Sequence, residues 1–597
     1  MKGTSMEIKK RSEMDPGYMW DLSHIFATVE DWEAAYAEAE KAVSGIPALK
    51  GTLTESTDSL KAGLDAIYAA VEKVELVYLY ASLHKESDNG DPEYQNMEGR
   101  AVSLYVSLSS AVSFMNPEIL SAGEEKVKAM LEDEKLALYR HELGDIIRSA
   151  PHTLDEKGEM MLAALGDVSS VPSDTFGMLE SVDMTFPDTL GEDGNAAALS
   201  HGNFMVYMSS SDREVRRSAY EKYFGEFKKY INTFAAMYAG SVKFDTYFSN
   251  VRSFDSALAA ALFSSNVPTD VYDSLLEAIH DGLPDMRRYT DLRTRALGTG
   301  ELTMYDLYCP MVKGVDVKYT FEEACALVKK ALAPLGERYA ELLDRAFTEH
   351  WIDVYENRGK TTGAFSCGVY GVHPYVLLNF TGTLDDVFTL AHELGHAMHS
   401  FFSSEAQEFP THDYKIMVAE VASTVNEVLL TKYLLASETD PARRAYVLNH
   451  FLEGFRTTVF RQTLFAEFEK KAHEMYKDGT PLNADVLNKL YLELNRTYYS
   501  GVNVEELHAI EWARIPHFYR AFYVYQYATG FCSAVAIAQG IVDTGDAKDY
   551  LRFLTTGGSD YPIEELKIAG VDLSSPEPVR RALKVFAETI DEMEKVI

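Results

Sequence analysis

Residues Asp386 to Ser400 read DVFTLAHELGHAMHS, and their periodicity sets the class of the chain. Val387, Leu390, Ala391, Leu394, Met398 and Phe401 recur three or four positions apart, the spacing of one buried helix face. Thr383 precedes them as an N-cap, with Asp385 and Asp386 in the first turn against the positive end of the helix dipole. The pattern predicts a helix from Leu384 to about Phe402. On it His392 and His396 fall one turn apart on one face, where two imidazoles can reach a single zinc ion. Glu393 lies about 100° further round, so its carboxylate meets a zinc-bound water and not the zinc itself. His399 sits about 10.5 Å along the axis from His392, too far to share a zinc at bonds of about 2.1 Å. A His396/His399 pair would strand Glu393 on the wrong side, so His399 is assigned to support or packing.

Two partial copies mark what the motif needs. HELGD (His141 to Asp145) has Asp145 where the second histidine belongs, and HEMYK (His473 to Lys477) has a cation there. Both are expected to be surface helix turns. A catalytic zinc takes three protein ligands and keeps one position open. The stretch HDYKIMVAEVASTVNEVLLTKYLL (His412 to Leu435) predicts a second helix, with Val418, Val421, Val425, Val428 and Leu429 towards the core. Glu420, Ser423, Thr424 and Glu427 interrupt it as a polar stripe. Either glutamate could complete the site, and spacing does not choose between them.

Working outward, most of the remaining chain keeps helical periodicity, as in SLKAGLDAIYAAVEKVELVYLYASL (Ser59 to Leu83). It lapses from Ser169 to Ser200, where GEDGN suggests a tight hairpin, and again from Trp351 to Thr383, where YVLLNF suggests a strand of four to six residues. The expected organisation is a helical N-terminal region, 1–200, and a larger helical region, 201–597, that carries the HExxH and a small sheet near 350–380.

The 597 residues carry 92 acidic and 56 basic side chains, a net charge of −36. Such a field repels nucleic acid and anionic membranes, so neither is an expected partner. Cys309, Cys325, Cys367 and Cys532 are widely spaced without a CxxC pair, which suits free thiols in a reducing compartment. The N-terminal stretch has no apolar core of a signal peptide, and the most apolar late stretch, Ala528 to Val542, is too short to span a bilayer. A cytoplasmic protein is expected.

TLAHELGHAMHS (Thr389 to Ser400) followed by VAEVASTVNE (Val418 to Glu427) resembles the thimet-oligopeptidase-like (M3) zinc metallopeptidases, most closely the oligoendopeptidase F branch. MWDLSHIF, RSFDSALAAALFSSNVP, GAFSCGVYGVHPYVLLNFTGT and IPHFYRAFYVYQYATG extend the match over nearly the whole chain. The resemblance implies a mainly α, elongated body with a small sheet beside the zinc helix and a deep central substrate channel, covered by the region 1–200. It implies one Zn2+ per chain on His392, His396 and Glu420, Glu393 as general base, and Glu427 as a carboxylate that orients a ligand histidine.

The implied activity is endopeptidase cleavage of internal bonds in short unfolded oligopeptides, by Glu-assisted attack of a zinc-bound water, in a monomer or weak homo-oligomer. Oxyanion donors come in this family from a histidine and tyrosines late in the chain, here His517 and Tyr523. Relatives place a second tyrosine further on, near Gly530, so Tyr527 or Tyr525 would have to substitute. HPYVLLNF (His373 to Phe380) is expected as the edge strand beside the cleft. His373 and Tyr375 on it, and Gly363, Ala364 and Phe365 in the neighbouring loop, would contact substrate or support the strand. A peptidyl-dipeptidase would instead need a cation for the substrate carboxylate, with Arg520 or Arg514 nearest.

Overall fold

The protein is described from a computed structural model over residues 8–312 and 317–597, and it is mainly α. The chain first forms α1 (Val29–Gly45), α2 (Thr57–Ser87) and α3 (Pro92–Val112). Thr28, Ser56 and Asp91 cap them by accepting first-turn backbone N–H groups that lack helical partners. Trp32, Val74, Val77 and Leu104 share one core, and the buried Trp32 indole donates to the Val77 carbonyl at 2.9 Å. The predicted hairpin is present as β1 (Thr189–Leu190) and β2 (Ala196–Ala197), paired antiparallel across the GEDGN turn. Gly194 adopts φ +78° there, a conformation open to glycine.

Then follow α4 (Thr269–Leu297), β3 (Ile352–Asp353), β4 (Phe365–Cys367), β5 (Tyr375–Leu377), α5 (Leu384–Ala406), α6 (Ile416–Ser437), α7 (Arg461–Lys477), α8 (Tyr525–Thr544) and α9 (Glu577–Met593). The sheet order is β3-β5-β4, with β3 parallel and β4 antiparallel to β5. This corrects the edge-strand expectation for His373 to Phe380. The strand in that stretch has three residues and is central, with both faces buried, which is why it reads as a continuous apolar run. The edge is β4. Val376 donates to the Trp351 carbonyl at 2.9 Å on the β3 side, so Ser366, opposite Val376, turns its backbone N–H and C=O away from the sheet.

Two compact units interleave along the chain. One comprises Met1–Pro151, Val317–Tyr433 and Ile537–Gly570; the other comprises His152–Asp316, Leu434–Ala536 and Val571–Ile597. The boundary expected at residue 200 falls inside the second unit. In the first unit Tyr375 and Leu377 join the core of α1–α3, and β4 lies against α5. In the second, α4 packs along α9. All four cysteines are free, and among the described residues no helix is long and apolar enough to cross a membrane.

Candidate metal centre

The site is built on α5 and α6 in the first unit. Thr383 caps α5 by accepting the Asp386 N–H at 3.1 Å, while Asp386 accepts the Thr383 N–H at 2.8 Å. This reciprocal box fixes where the helix starts and hence where His392 points. α6 begins at Ile416, not at His412 as the periodicity suggested; a separate turn, Phe409–Thr411, precedes it, and the His412 ring lies 2.7 Å from the Phe409 carbonyl of that turn. The two helices approach at Gly395. A Cβ there would lie 2.5 Å from the Ser423 Cα and 2.7 Å from the Ala422 carbonyl oxygen. Buried Asn426 on α6 donates to the Ala391 carbonyl at 3.0 Å and accepts from the Tyr339 hydroxyl at 2.9 Å, locking the register of the pair. Sequence reasoning missed Asn426, although an amide on an apolar helix face is a signal that it bonds a neighbour.

His392 Nε2 and His396 Nε2 are 3.2 Å apart, and Glu420 Oε2 lies 3.6 Å from the first and 3.7 Å from the second. A tetrahedral zinc with bonds of about 2.1 Å separates its ligand atoms by about 3.4 Å, so the three donors suit that ion. Among the described residues they are the group assembled for a metal, their ligand atoms all within 4.8 Å of one another. Glu427 does something different. Its Oε1 lies 2.5 Å from His392 Nδ1, on the far side of the ring, which turns Nε2 towards the other donors.

Burial disfavours charge on His392, but the hydrogen bond and charge of Glu427, with Glu393 and Glu420, outweigh it and raise its pKa to about 9. Burial and the charge on His392 push His396 down to about 3. Burial, opposed by His392 and reinforced by Glu420 and Glu427, raises Glu393 to about 7. His399 is fully buried and stacks on Tyr414 with centroids 3.6 Å apart. Neither of its ring nitrogens has a hydrogen-bond partner among the described residues, so it packs and does not orient a ligand.

These values give a test. Below about pH 9 a metal must displace the His392 proton, so wild-type affinity rises by about a decade more per pH unit than without Glu427. Glu427→Gln is expected to bind zinc about 10–100-fold more weakly at pH 9, the gap closing over the first one or two pH units below that. Competition titrations across that range check it; parallel curves would contradict the role given to Glu427.

The partial copies are not the exposed turns that were expected. His141 packs on Tyr561 at 4.6 Å and is half-buried, and burial raises the Glu142 carboxyl. His473 is buried, 3.1 Å from Asp245 Oδ2 and 2.9 Å from the Glu469 carbonyl. Both serve packing. Among the residues expected to contact substrate or support the strand, His373 lies 2.7 Å from the His24 ring and stacks on Trp351, while the buried Tyr375 donates to the Asp21 carbonyl at 3.0 Å. Both are committed to the sheet's own packing. Gly363 and Ala364 line a pocket with Asn379 and Thr389 beside the start of α5, and Phe365 opens the edge strand β4.

The late residues lie in the second unit. His517 and Tyr523 have parallel rings 6.4 Å apart, and the Tyr527 hydroxyl is 3.5 Å from His517 Nε2. Tyr525 is buried against Tyr272 at 5.2 Å, so Tyr527 and not Tyr525 accompanies that pair. Burial and Arg520 lower the His517 pKa. Arg520 lies over the Tyr523 ring at 4.1 Å, and Arg514 is held by Glu511 at 3.2 Å. Phe522 carries a φ of +57°, strained for a non-glycine, and its N–H donates to the buried Glu469 Oε1 at 3.1 Å. Sequence reasoning did not find this support beneath Tyr523.

The profile of peptidase family M3 matches residues 206–585, and that of oligopeptidase F matches 118–186. The chain is 42% identical over 595 residues to oligopeptidase PepF of Bacillus subtilis, covering 99% of this chain and 89% of the relative. It is 39% identical to the group B oligopeptidase PepB of Streptococcus agalactiae, covering 98% of each. Its fold is similar to the crystal structure of oligoendopeptidase-F from Enterococcus faecium, with a TM-score of 0.72 and 35% identity over 95% of this chain and 99% of that one. The chain belongs to peptidase family M3, in its oligoendopeptidase F branch.

Proposed function

We propose that the protein is a zinc-dependent endopeptidase that hydrolyses internal bonds of short unfolded oligopeptides. The observation that carries this is the convergence of His392, His396 and Glu420 donors at zinc-like separations, with the Glu393 carboxylate one residue from the first ligand. When bound, zinc supplies Lewis acidity, which lowers the pKa of water and polarises a carbonyl. Glu393 is suited to take the proton of the attacking water, because a carboxylate with a pKa near 7 both accepts and returns a proton at neutral pH. It then gives the proton to the leaving amine. Glu427 keeps the His392 proton on Nδ1 and leaves Nε2 as the donor atom. The outward N–H and C=O of Ser366 on β4 would pair with an extended substrate backbone, which binds peptides without strong side-chain demands.

His517, Tyr523 and Tyr527 are assigned the hydrogen bonds to the oxyanion, a role supported by the sequence match and by their mutual placement in the second unit. The free thiols and the acidic chain favour work in the cytoplasm. Removing the metal with a chelator should abolish cleavage of a quenched fluorogenic peptide, and one equivalent of zinc should restore it. With metal content intact, Tyr523→Phe and His517→Ala are each expected to lower kcat about 10²–10³-fold with little change in KM. A kcat unchanged in both variants would remove these residues from the mechanism.

A further inference from the structure

Between α2 and α3 the first unit has an open cavity of about 480 Å³ that the hydrolytic chemistry does not use. Its walls are Tyr78, Val102, Tyr105 and Val106, apolar side chains left 37–60% exposed, with the two tyrosine rings 6.1 Å apart. Its polar lining is Glu75, Asp413 and His412, whose ring Nδ1 lies 2.7 Å from the Phe409 carbonyl. Glu75 is largely buried, and among the described residues its carboxylate has neither a hydrogen bond nor an ion pair. Burial comes first among the effects that hold its pKa up to about 7, and the charges that act on it, Asp413 and Glu72, are both negative. A mostly buried carboxylate near a second one, without an ion pair to a Lys, Arg or His among the described residues, is costly to ionise unless a cation arrives from outside.

The cavity also has an address. Gly368 and Val369, which line it, directly follow β4, the strand whose outward edge can pair with an extended peptide. A Cβ at Gly368 would lie 3.0 Å from the Ser400 Cβ on α5, so this lining is pressed against the helix that carries His392 and His396. A peptide lying along Ser366 advances about 3.3 Å per residue, so two or three residues bring a side chain to Gly368 and Val369. We propose that this cavity is a subsite for a lysine or arginine side chain of the peptide substrate, its stem against the valines and tyrosines and its charge at Glu75 and Asp413. A neutral aromatic occupant would cover the same walls but leave Glu75 without a partner. A long basic side chain satisfies both ends, because its stem is apolar and its head cationic.

The inference rests on the endopeptidase reading, and the test separates the two. Quenched peptides that differ only in lysine or norleucine, a side chain of similar length without the charge, are scanned through the positions flanking the scissile bond. The zinc-loaded wild-type protein is expected to show kcat/KM about tenfold higher for lysine at one position. The Glu75→Gln/Asp413→Asn double variant is expected to bring that ratio within about twofold of unity, with hydrolysis of the norleucine peptide unchanged. A wild-type ratio near unity at every position, or a preference that survives the double variant, overturns the subsite. If Glu393→Gln still hydrolyses the norleucine peptide, it is the hydrolytic reading that fails.

Discussion

Glu393→Gln is expected to lower kcat for a quenched oligopeptide about a thousandfold, within the range a positioned general base supplies, while zinc content stays at one per chain. The separation of these two outcomes follows from where Glu393 stands. It neighbours His392 on α5 but is not among the three groups whose ligand atoms converge. Glutamine keeps the shape and loses the ability to accept a proton. The same replacement should stabilise the metal-free protein. Burial first, with Glu420 and Glu427, holds the Glu393 pKa up at about 7. A carboxyl whose folded pKa is raised costs stability once pH passes its unfolded value of about 4.3, and the cost is complete above the folded value. The metal-free variant is therefore expected to melt higher than wild type at pH 8 and equally at pH 4. A variant that is both inactive and zinc-free would show that Glu393 holds the metal instead.

Gly395→Ala is expected to damage the site without touching any group that does chemistry. The added methyl meets the Ser423 Cα at 2.5 Å and the Ala422 carbonyl oxygen at 2.7 Å, which are backbone atoms that cannot rotate aside. α5 and α6 must separate, at a cost of about 1–3 kcal/mol for overpacking. Because His392 and His396 stand on one helix and Glu420 on the other, the separation also opens the donor set. Zinc affinity should fall about 10–100-fold, by analogy with the loss of an orienting group. Thermal melting of the chelated protein and competition titration read the two effects independently. Unchanged affinity would mean that the helix contact does not set the ligand distances.

The helices and the histidine pair were legible because their information is local. The 3–4 spacing from Val387 to Phe401 and the cap at Thr383 act within one element. The choice between Glu420 and Glu427 was not legible from spacing, since both lie on one stripe of one helix. They differ in which nitrogen of His392 they face, which depends on how α6 crosses α5 at Gly395. Strand order was hidden for a similar reason. YVLLNF announces a strand but not its neighbours, and Trp351 to Asp353 on one side and Phe365 to Cys367 on the other make it central. Whether Tyr375 meets substrate or supports the strand was likewise open in the sequence; its hydroxyl donates to a carbonyl 354 residues away in sequence. The interleaved units escaped for the same reason, since each gathers three separate stretches of the chain.

The most direct test of the zinc endopeptidase account uses a peptide of about ten residues, acetylated at one end and amidated at the other. It is incubated with the protein as purified, after chelation, and after return of one equivalent of zinc, and the products are mapped by mass spectrometry. The account predicts internal cleavage that disappears with the metal, returns with it, and is absent at every step in Glu393→Gln. Cleavage confined to peptides with a free C-terminal carboxylate, or cleavage that persists in the chelated protein, would contradict it.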